Sequence, residues 1–86
     1  MYEVRWANKA EKELGKIADF DRKNLLKKIV LLTFPFPPNF DIAKLAGVEG
    51  FYRLRSGSLR ILLDVDQNKK QIWVRKIKYR GQIYKN

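Results

Sequence analysis

The stretch FYRLRSGSLRILLDVD, residues 51–66, is the part of the sequence that decides the fold. Apolar and polar residues alternate on both sides of Ser56-Gly57-Ser58, which is the pattern of two strands with one buried face each. Gly57 can adopt the positive φ angle that a tight turn requires. The stretch therefore predicts a β-hairpin, with strands over residues 50–55 and 59–66.

The predicted hairpin carries three arginines on one face. Arg53 and Arg55 share a side of the first strand, and the apolar row that begins at Leu59 leaves Arg60 facing outward from the second. Pairing brings these side chains to cross-strand distances of about 5–8 Å. Like charges this close destabilise the isolated protein, so we predict an exposed anion site. The alternative is pairing with Asp64 and Asp66, although surface ion pairs stabilise by only ~0–1 kcal/mol.

A third strand is predicted over residues 71–78. Ile72 and Val74 share one face of it, whereas Ile77 has the opposite parity. A β-bulge near Arg75–Lys76 restores Ile77 to the core, and Arg80 then leaves the strand beside the hairpin. Trp73 is interpreted as a packing residue, while Tyr79 is open between packing and base stacking.

The first half of the chain predicts one strand and two helices. Tyr2, Val4 and Trp6 alternate with polar residues, as in a strand. Asn8 and Glu11 have the spacing of a capping box, which predicts a helix over residues 9–18. A second helix follows a cap at Asp19 or Asp21. It buries a stripe at Leu25, Ile29 and Leu32, widened by Leu26 and Val30. Its cations are interpreted as a solvated face, with nucleic-acid contact as the alternative: Arg22, Lys23, Lys27 and Lys28.

The prolines of residues 34–39 end the second helix. Residues 39–50 then predict a loop, anchored on the core by Ile42 and Leu45. The order is β-α-α-β-β-β in a single domain over residues 1–86. We therefore predict an α+β fold, with two N-terminal helices packed on a small, mainly antiparallel sheet.

The composition limits the partners and the chemistry. Residues 51–86 hold ten lysines and arginines against two aspartates, within a net charge of +10. Charge segregated in this way makes a positive face, which implies a polyanionic partner. Cysteine and histidine are both absent, which removes thiol and imidazole chemistry. We expect no metal and no cofactor. The apolar run over residues 29–36 is far shorter than a membrane span of ~20 residues, and no signal segment opens the chain, so we expect a cytoplasmic protein and no membrane partner.

Two motifs in order resemble the RelE/ParE toxin superfamily. YRLRSGSLR (52–60) is similar to the superfamily's hairpin pattern Y-R-x-R-x-G-x-Y-R. YRGQIY (79–84) is similar to its closing pattern H-R-x-x-x-Y. The aromatic-rich first strand, Lys12-Glu13-Leu14 and Lys44-Leu45-x-Gly47 agree as well. The resemblance covers essentially the whole chain, and it departs at Leu59, at Tyr79 and in the use of arginine at both hairpin positions.

The resemblance implies a toxin of a type II toxin–antitoxin system. Its RelE branch is a ribosome-dependent mRNA endoribonuclease that inhibits translation: it enters the ribosomal A site, where ribosomal RNA surrounds it, and cuts the mRNA there. A small acidic antitoxin is the implied protein partner. Carried over position by position, the catalytic set is Arg53, Arg55, Arg60, Arg80 and Tyr84. The nearby residues expected to contact RNA are Lys76, Lys78, Tyr79 and Lys85.

The residue types suit cleavage by the RNA's own 2′-hydroxyl. Arginine donates to two phosphate oxygens at once and stabilises charge on the phosphorane. Because arginine stays protonated, Tyr84 is the plausible proton carrier; the alternative is that it only anchors the C-terminus. Two other functions stay open: a ParE-like inhibitor of DNA gyrase, and a basic nucleic-acid-binding module without catalysis.

Overall fold

Two helices and one mixed sheet form in residues 1–80, which are the residues described by the computed structural model. The elements are β1 (Glu3–Trp6), α1 (Asn8–Leu14), α2 (Asp19–Ile29), β2 (Asp41–Lys44), β3 (Phe51–Ser56), β4 (Leu59–Asp66) and β5 (Gln71–Tyr79). The strand order is β1-β5-β4-β3-β2, with β1 parallel to β5 and the other pairs antiparallel. This confirms the predicted α+β class. None of the described helices is long and apolar enough to cross a membrane.

The hairpin and the bulge are confirmed. Ser56 pairs with Leu59, so the turn between β3 and β4 has two residues, and Gly57 has a φ of 59°. Between β4 and β5, Leu62 pairs with Lys76 but Leu63 pairs with Val74. Arg75 is therefore the extra residue of a β-bulge, and the shift returns Ile77 to the buried face.

The core lies between the helices and one face of the sheet. Fully buried side chains from the three longest strands pack with residues of α2, including Leu54, Ile61, Val74 and Leu25. An aromatic cluster adds to this core, with ring centroids 4.9–6.1 Å apart: Tyr2, Phe34, Phe36 and Tyr52. The cluster ties the proline-rich segment to the sheet.

The first helix is shorter than predicted, and its capping box is wrong. α1 ends at Leu14 and is capped by Ala7 without a side-chain hydrogen bond. Gly15, a poor helix former, follows its last residue. Because β1 pairs only with residues 71–74 of β5, the rest of that edge lies open to α1. Glu13 Oε1 accepts a hydrogen bond from Ile77 N at 2.7 Å and satisfies this edge.

The second helix buries a narrower stripe than predicted. Leu25 and Ile29 of α2, and Leu32 just after its end, are buried as expected, but Leu26 and Val30 are 36% and 79% exposed. Both lie one residue, or about 100°, beyond the buried stripe. The predicted cap is also wrong, because Ala18 precedes the helix and no side chain caps it. The aspartates of the first turn instead complement the helix dipole.

The predicted loop over residues 39–50 contains a strand. β2 pairs with β3 at the edge of the sheet, where Ile42 lies opposite Leu54 and packs against the core. Four residues with one core contact give too little alternation to identify a strand from the sequence. The strand places Asp41 opposite Arg55.

Candidate nucleic-acid interface

The sheet face away from the core carries a cross-strand row of charged residues near the hairpin turn. In strand order the row is Lys78, Arg60, Arg55 and Asp41. The next row toward the middle of the sheet contains Lys76, Leu62, Arg53 and Ala43. Directly opposite residues have Cβ atoms about 4.5–5.5 Å apart. The structure therefore brings Arg53, Arg55 and Arg60 together as predicted, and we call these three residues the arginine cluster.

Arg60 is buried, which corrects the expectation that it is exposed. Its exposed fraction is 6%, because β4 is the central strand and Arg55 and Lys78 flank it on both sides. Arg60 Nη1 donates a hydrogen bond to Leu59 O at 3.2 Å. None of the ion pairs within residues 1–80 includes Arg60. A buried cation between two others is costly, so this position favours an anion.

The two aspartates of β4 do not neutralise the arginine cluster in the described residues. Asp64 Oδ2 accepts hydrogen bonds from Nε and Nη2 of Arg75 at 3.2 and 3.0 Å. Asp66 Oδ1 accepts one from Lys69 N in the following turn at 3.0 Å. Within residues 1–80, Asp41 does approach the cluster, and its Oδ2 lies 3.5 Å from Arg55 Nε. That pair is half-exposed and stabilises by only ~0–1 kcal/mol.

Trp73 packs among cations at the other end of the same face. Its ring centroid lies 4.7 Å from Arg75 Cζ and 5.6 Å from Arg5 Cζ. Its Nε1 donates to Gln71 Oε1 at 3.2 Å. These contacts give the half-buried indole the packing role that the sequence predicts.

The two lysines of β5 differ in their surroundings. Lys76 is exposed on the face of the arginine cluster. Lys78 Nζ lies 2.7 Å from Glu13 Oε2, whose side chain is largely buried. Glu13 therefore binds the β5 edge with one oxygen and compensates a cation of the row with the other. Lys76 is the better placed of the two to meet a phosphate.

Tyr79 and Arg80 hold the end of β5. Tyr79 packs on the helix side of the sheet, where its hydroxyl donates to Asp21 Oδ2 and accepts from Ala18 N, each at 2.9 Å. Arg80 N donates to Ser58 O at 2.6 Å, which confirms that Arg80 leaves the strand beside the hairpin. The ring of Tyr79 thus lies on the face opposite the arginine cluster. Tyr84 and Lys85 lie outside the described residues.

Sequence reasoning missed the two carboxylates next to the basic row. Glu13 meets Lys78 because α1 lies over a free strand edge, and no local pattern predicts that placement. Asp41 meets Arg55 through the edge strand β2, which was expected to be a loop. The polar and apolar residues around Ile42 alternate only briefly, and this alternation was the one local signal that could have predicted the edge strand that carries Asp41.

The geometry can hold and polarise a phosphate. The arginine cluster offers planar donor groups from two adjacent strands, on a rigid hairpin rather than a loop. Arg80 adds an exposed cation at the turn end. Donors fixed in place before the reaction are the arrangement that stabilises developing charge on a phosphate.

Comparison with known proteins places this chain among toxins. A family model described as the ParE toxin of the type II toxin–antitoxin system, parDE, matches residues 4–84. A comparison with curated protein sequences finds no match. Among solved structures, RelE of the archaeal RelE–RelB complex from Pyrococcus horikoshii is 29% identical, with a TM-score of 0.80 over 94% of this chain and 97% of that one.

Two further solved toxin–antitoxin complexes are similar. The RelB–RelE complex of Methanococcus jannaschii matches at 26% identity and a TM-score of 0.82, covering 94% of this chain and 95% of that one. The intact E. coli RelBE complex matches at 26% identity and a TM-score of 0.75, covering 95% and 99%. The family model covers nearly the whole chain, and each of these structural matches covers at least 94% of it. This chain therefore belongs to the ParE toxin family of type II toxin–antitoxin systems, within the RelE/ParE superfamily.

Proposed function

We propose that this toxin is a ribosome-dependent mRNA endoribonuclease. The observation that carries the proposal is the buried Arg60 between Arg55 and Lys78, a cation position that an RNA phosphate compensates. The RelE structures among its matches support this branch of the superfamily over the other. The catalytic set is the arginine cluster with Arg80 and Tyr84.

The proposed reaction requires no metal. The 2′-hydroxyl oxygen attacks the adjacent phosphorus, the bond from phosphorus to the 5′-oxygen breaks, and the products are a 2′,3′-cyclic phosphate and a 5′-hydroxyl. One proton leaves the 2′-hydroxyl and one reaches the 5′-oxygen. The arginines stabilise the phosphorane, and Tyr84 is the member of the set that can exchange a proton. A site with so few acid–base groups depends on the ribosome to align the attack.

An acidic antitoxin is the proposed physiological partner. Free RNA would bind this +10 chain indiscriminately, because each phosphate contact adds salt-dependent affinity. Carboxylates of an antitoxin can occupy the arginine cluster, and an amphipathic segment of it can cover the exposed apolar residues Leu26, Val30 and Leu31 of the α2 region. The antitoxin complexes among the structural matches support this partner.

Inhibition of DNA gyrase is the second candidate, because the matching family model is that of ParE. Purified toxin with mRNA, in the presence and absence of ribosomes, tests the first candidate. Gyrase supercoiling with the same preparation tests the second. Cleavage that requires ribosomes, with unaffected supercoiling, is the expected result; the reverse pattern would assign the chain to the gyrase-inhibiting branch.

A further inference from the structure

A cleft opens between α2 and the hairpin turn, on the helix side of the sheet. Its volume is about 430 Å³. The α2 wall includes Phe20, Asn24, Lys27 and Lys28, and the opposite wall is the turn at residues 56–58. The catalytic set described above does not use this cleft.

The lining of the cleft offers an exposed aromatic ring, an amide and two ammonium groups. Phe20 is 75% exposed, although burying its ring elsewhere would stabilise the fold. Asn24 supplies an amide that both donates and accepts, and Lys27 supplies an exposed ammonium group. The carboxylate in the lining, Asp21, already accepts the hydrogen bond of Tyr79. A nucleotide combines the ring, the polar edge and the negative charge that these groups match.

The cleft and the arginine cluster lie on opposite faces of the sheet, and both lie next to the hairpin turn. Lys28 Nζ lies 3.2 Å from Ser56 Oγ, and Ser56 directly follows Arg55. On the other side of the turn, Ser58 O accepts the hydrogen bond of Arg80 N at 2.6 Å. Ser56 is thus the chain neighbour of Arg55, and Ser58 is hydrogen-bonded to the backbone of Arg80. An RNA strand that bends around the turn can contact both the cleft and the arginine cluster.

We propose that this cleft binds a nucleotide of single-stranded RNA next to the one held by the arginine cluster. The base stacks on Phe20, the amide of Asn24 meets its polar edge, and Lys27 and Lys28 meet its phosphate. The inference rests on the proposed function, because it requires the arginine cluster to hold RNA. It gives Lys27 and Lys28 the nucleic-acid role that was the less favoured interpretation of the helix cations.

The test is the affinity of the full chain for a fluorescent adenosine hexanucleotide with 2′-fluoro substituents, which cannot be cut by 2′-hydroxyl attack. Stacking of one base on an aromatic ring raises the binding affinity about 5- to 140-fold. Phe20→Ala and Phe20→Leu should therefore weaken binding at least about 5-fold, while Phe20→Tyr stays close to the wild type. Leucine keeps an apolar contact but has no ring, so weaker binding by the Phe20→Leu variant would show that stacking, and not apolar contact alone, supports the affinity.

Two matched controls lie on the same helix region outside the cleft. Val30→Ala removes another exposed apolar side chain, and Lys23→Ala removes another exposed cation. Both should bind the hexanucleotide almost as the wild type does, whereas Lys27→Ala should bind it less well. Equal affinity of the Phe20→Ala and Val30→Ala variants would overturn the proposal.

A second measurement identifies the stacked base. Six hexanucleotides are compared, each lacking the base at a different position. At one position, removal of the base should weaken binding by the wild type but not binding by the Phe20→Ala variant. If Phe20→Ala weakens only binding to an acidic antitoxin, the cleft is a protein-binding surface and the proposal is wrong. RNA can bind in the cleft without being cut. If the wild type binds the hexanucleotide through Phe20 but cleaves no mRNA on ribosomes, the proposed function is wrong and the proposed binding site is not.

Discussion

Arg55 and Arg60 lie directly opposite each other across the β3–β4 hairpin, one pair away from its two-residue turn. Arg60 is buried there, and Arg55 is 45% exposed with one half-exposed carboxylate 3.5 Å away. A pair of like charges in this position lowers the stability of the protein alone. It also leaves a fixed set of donors that an RNA phosphate can occupy, which gives the first prediction.

Replacing Arg60 with methionine should separate stability from activity. Methionine keeps the apolar volume of the side chain but removes the repulsion from Arg55 and Lys78. We expect an unchanged or higher melting temperature, with mRNA cleavage on ribosomes slowed by at least about 10²-fold. Lys69→Met, on an exposed turn, is the control. A melting temperature several degrees below the wild type would show that the row of cations is not repulsive.

The carboxylate of Glu13 should stabilise the β5 edge through its hydrogen bond to Ile77 N and should partly neutralise the charge of Lys78. Glu13→Gln keeps an acceptor for Ile77 N but removes the charge that faces Lys78. We expect it to bind RNA more tightly at low salt, with little loss of stability. Glu13→Ala also removes the acceptor, so unfolding should be easier by about 1–3 kcal/mol. Equal stability of the two variants would contradict the role of the edge hydrogen bond.

The hydroxyl of Tyr79 should stabilise the junction between β5 and α2. Tyr79→Phe removes the bonds to Asp21 and Ala18, so we expect a loss of about 1 kcal/mol, or about 4–8 °C in melting temperature. Tyr52→Phe is the control, since its hydroxyl makes no hydrogen bond within residues 1–80. Similar decreases in melting temperature for Tyr79→Phe and Tyr52→Phe would show that the hydrogen bonds of Tyr79 do not stabilise this junction.

The salt dependence of RNA binding should report each phosphate contact. For single-stranded RNA, each contact contributes about 0.7 to the slope of log affinity against log salt. Arg55→Ala should lower that slope by about this amount, and Lys69→Ala should leave it unchanged. An unchanged slope in the Arg55 variant would place the phosphate elsewhere on the surface.

Local patterns predicted the parts of the fold that alternate strictly. The hairpin, its glycine turn and the bulge that returns Ile77 to the core follow from period-2 alternation. The helices were less well predicted. Leu26 and Val30 fit an amphipathic stripe but are exposed, because only the side of α2 that carries Leu25 and Ile29 packs into the core. Tertiary packing, not propensity, decided which apolar residues are buried.

The sequence predicted which arginines share a face of the hairpin, but it did not predict their surroundings. Strand parity put Arg53, Arg55 and Arg60 on one face, which the register confirms. The burial of Arg60 depends on β4 being central, and strand order cannot be read from the alternation. The cleft beside Phe20 depends on how α2 lies against the turn, which is a tertiary relationship.

The ends of the RNA fragments test the central claim most directly. Ribosomes programmed with a defined mRNA are incubated with the wild-type toxin or Arg60→Met, and the termini are identified by mass spectrometry. The proposed chemistry predicts a 2′,3′-cyclic phosphate or its 3′-phosphate hydrolysis product with a 5′-hydroxyl, formed with the wild type and nearly absent with the variant. Fragments with a 3′-hydroxyl and a 5′-phosphate, or equal cleavage by both proteins, would contradict the account.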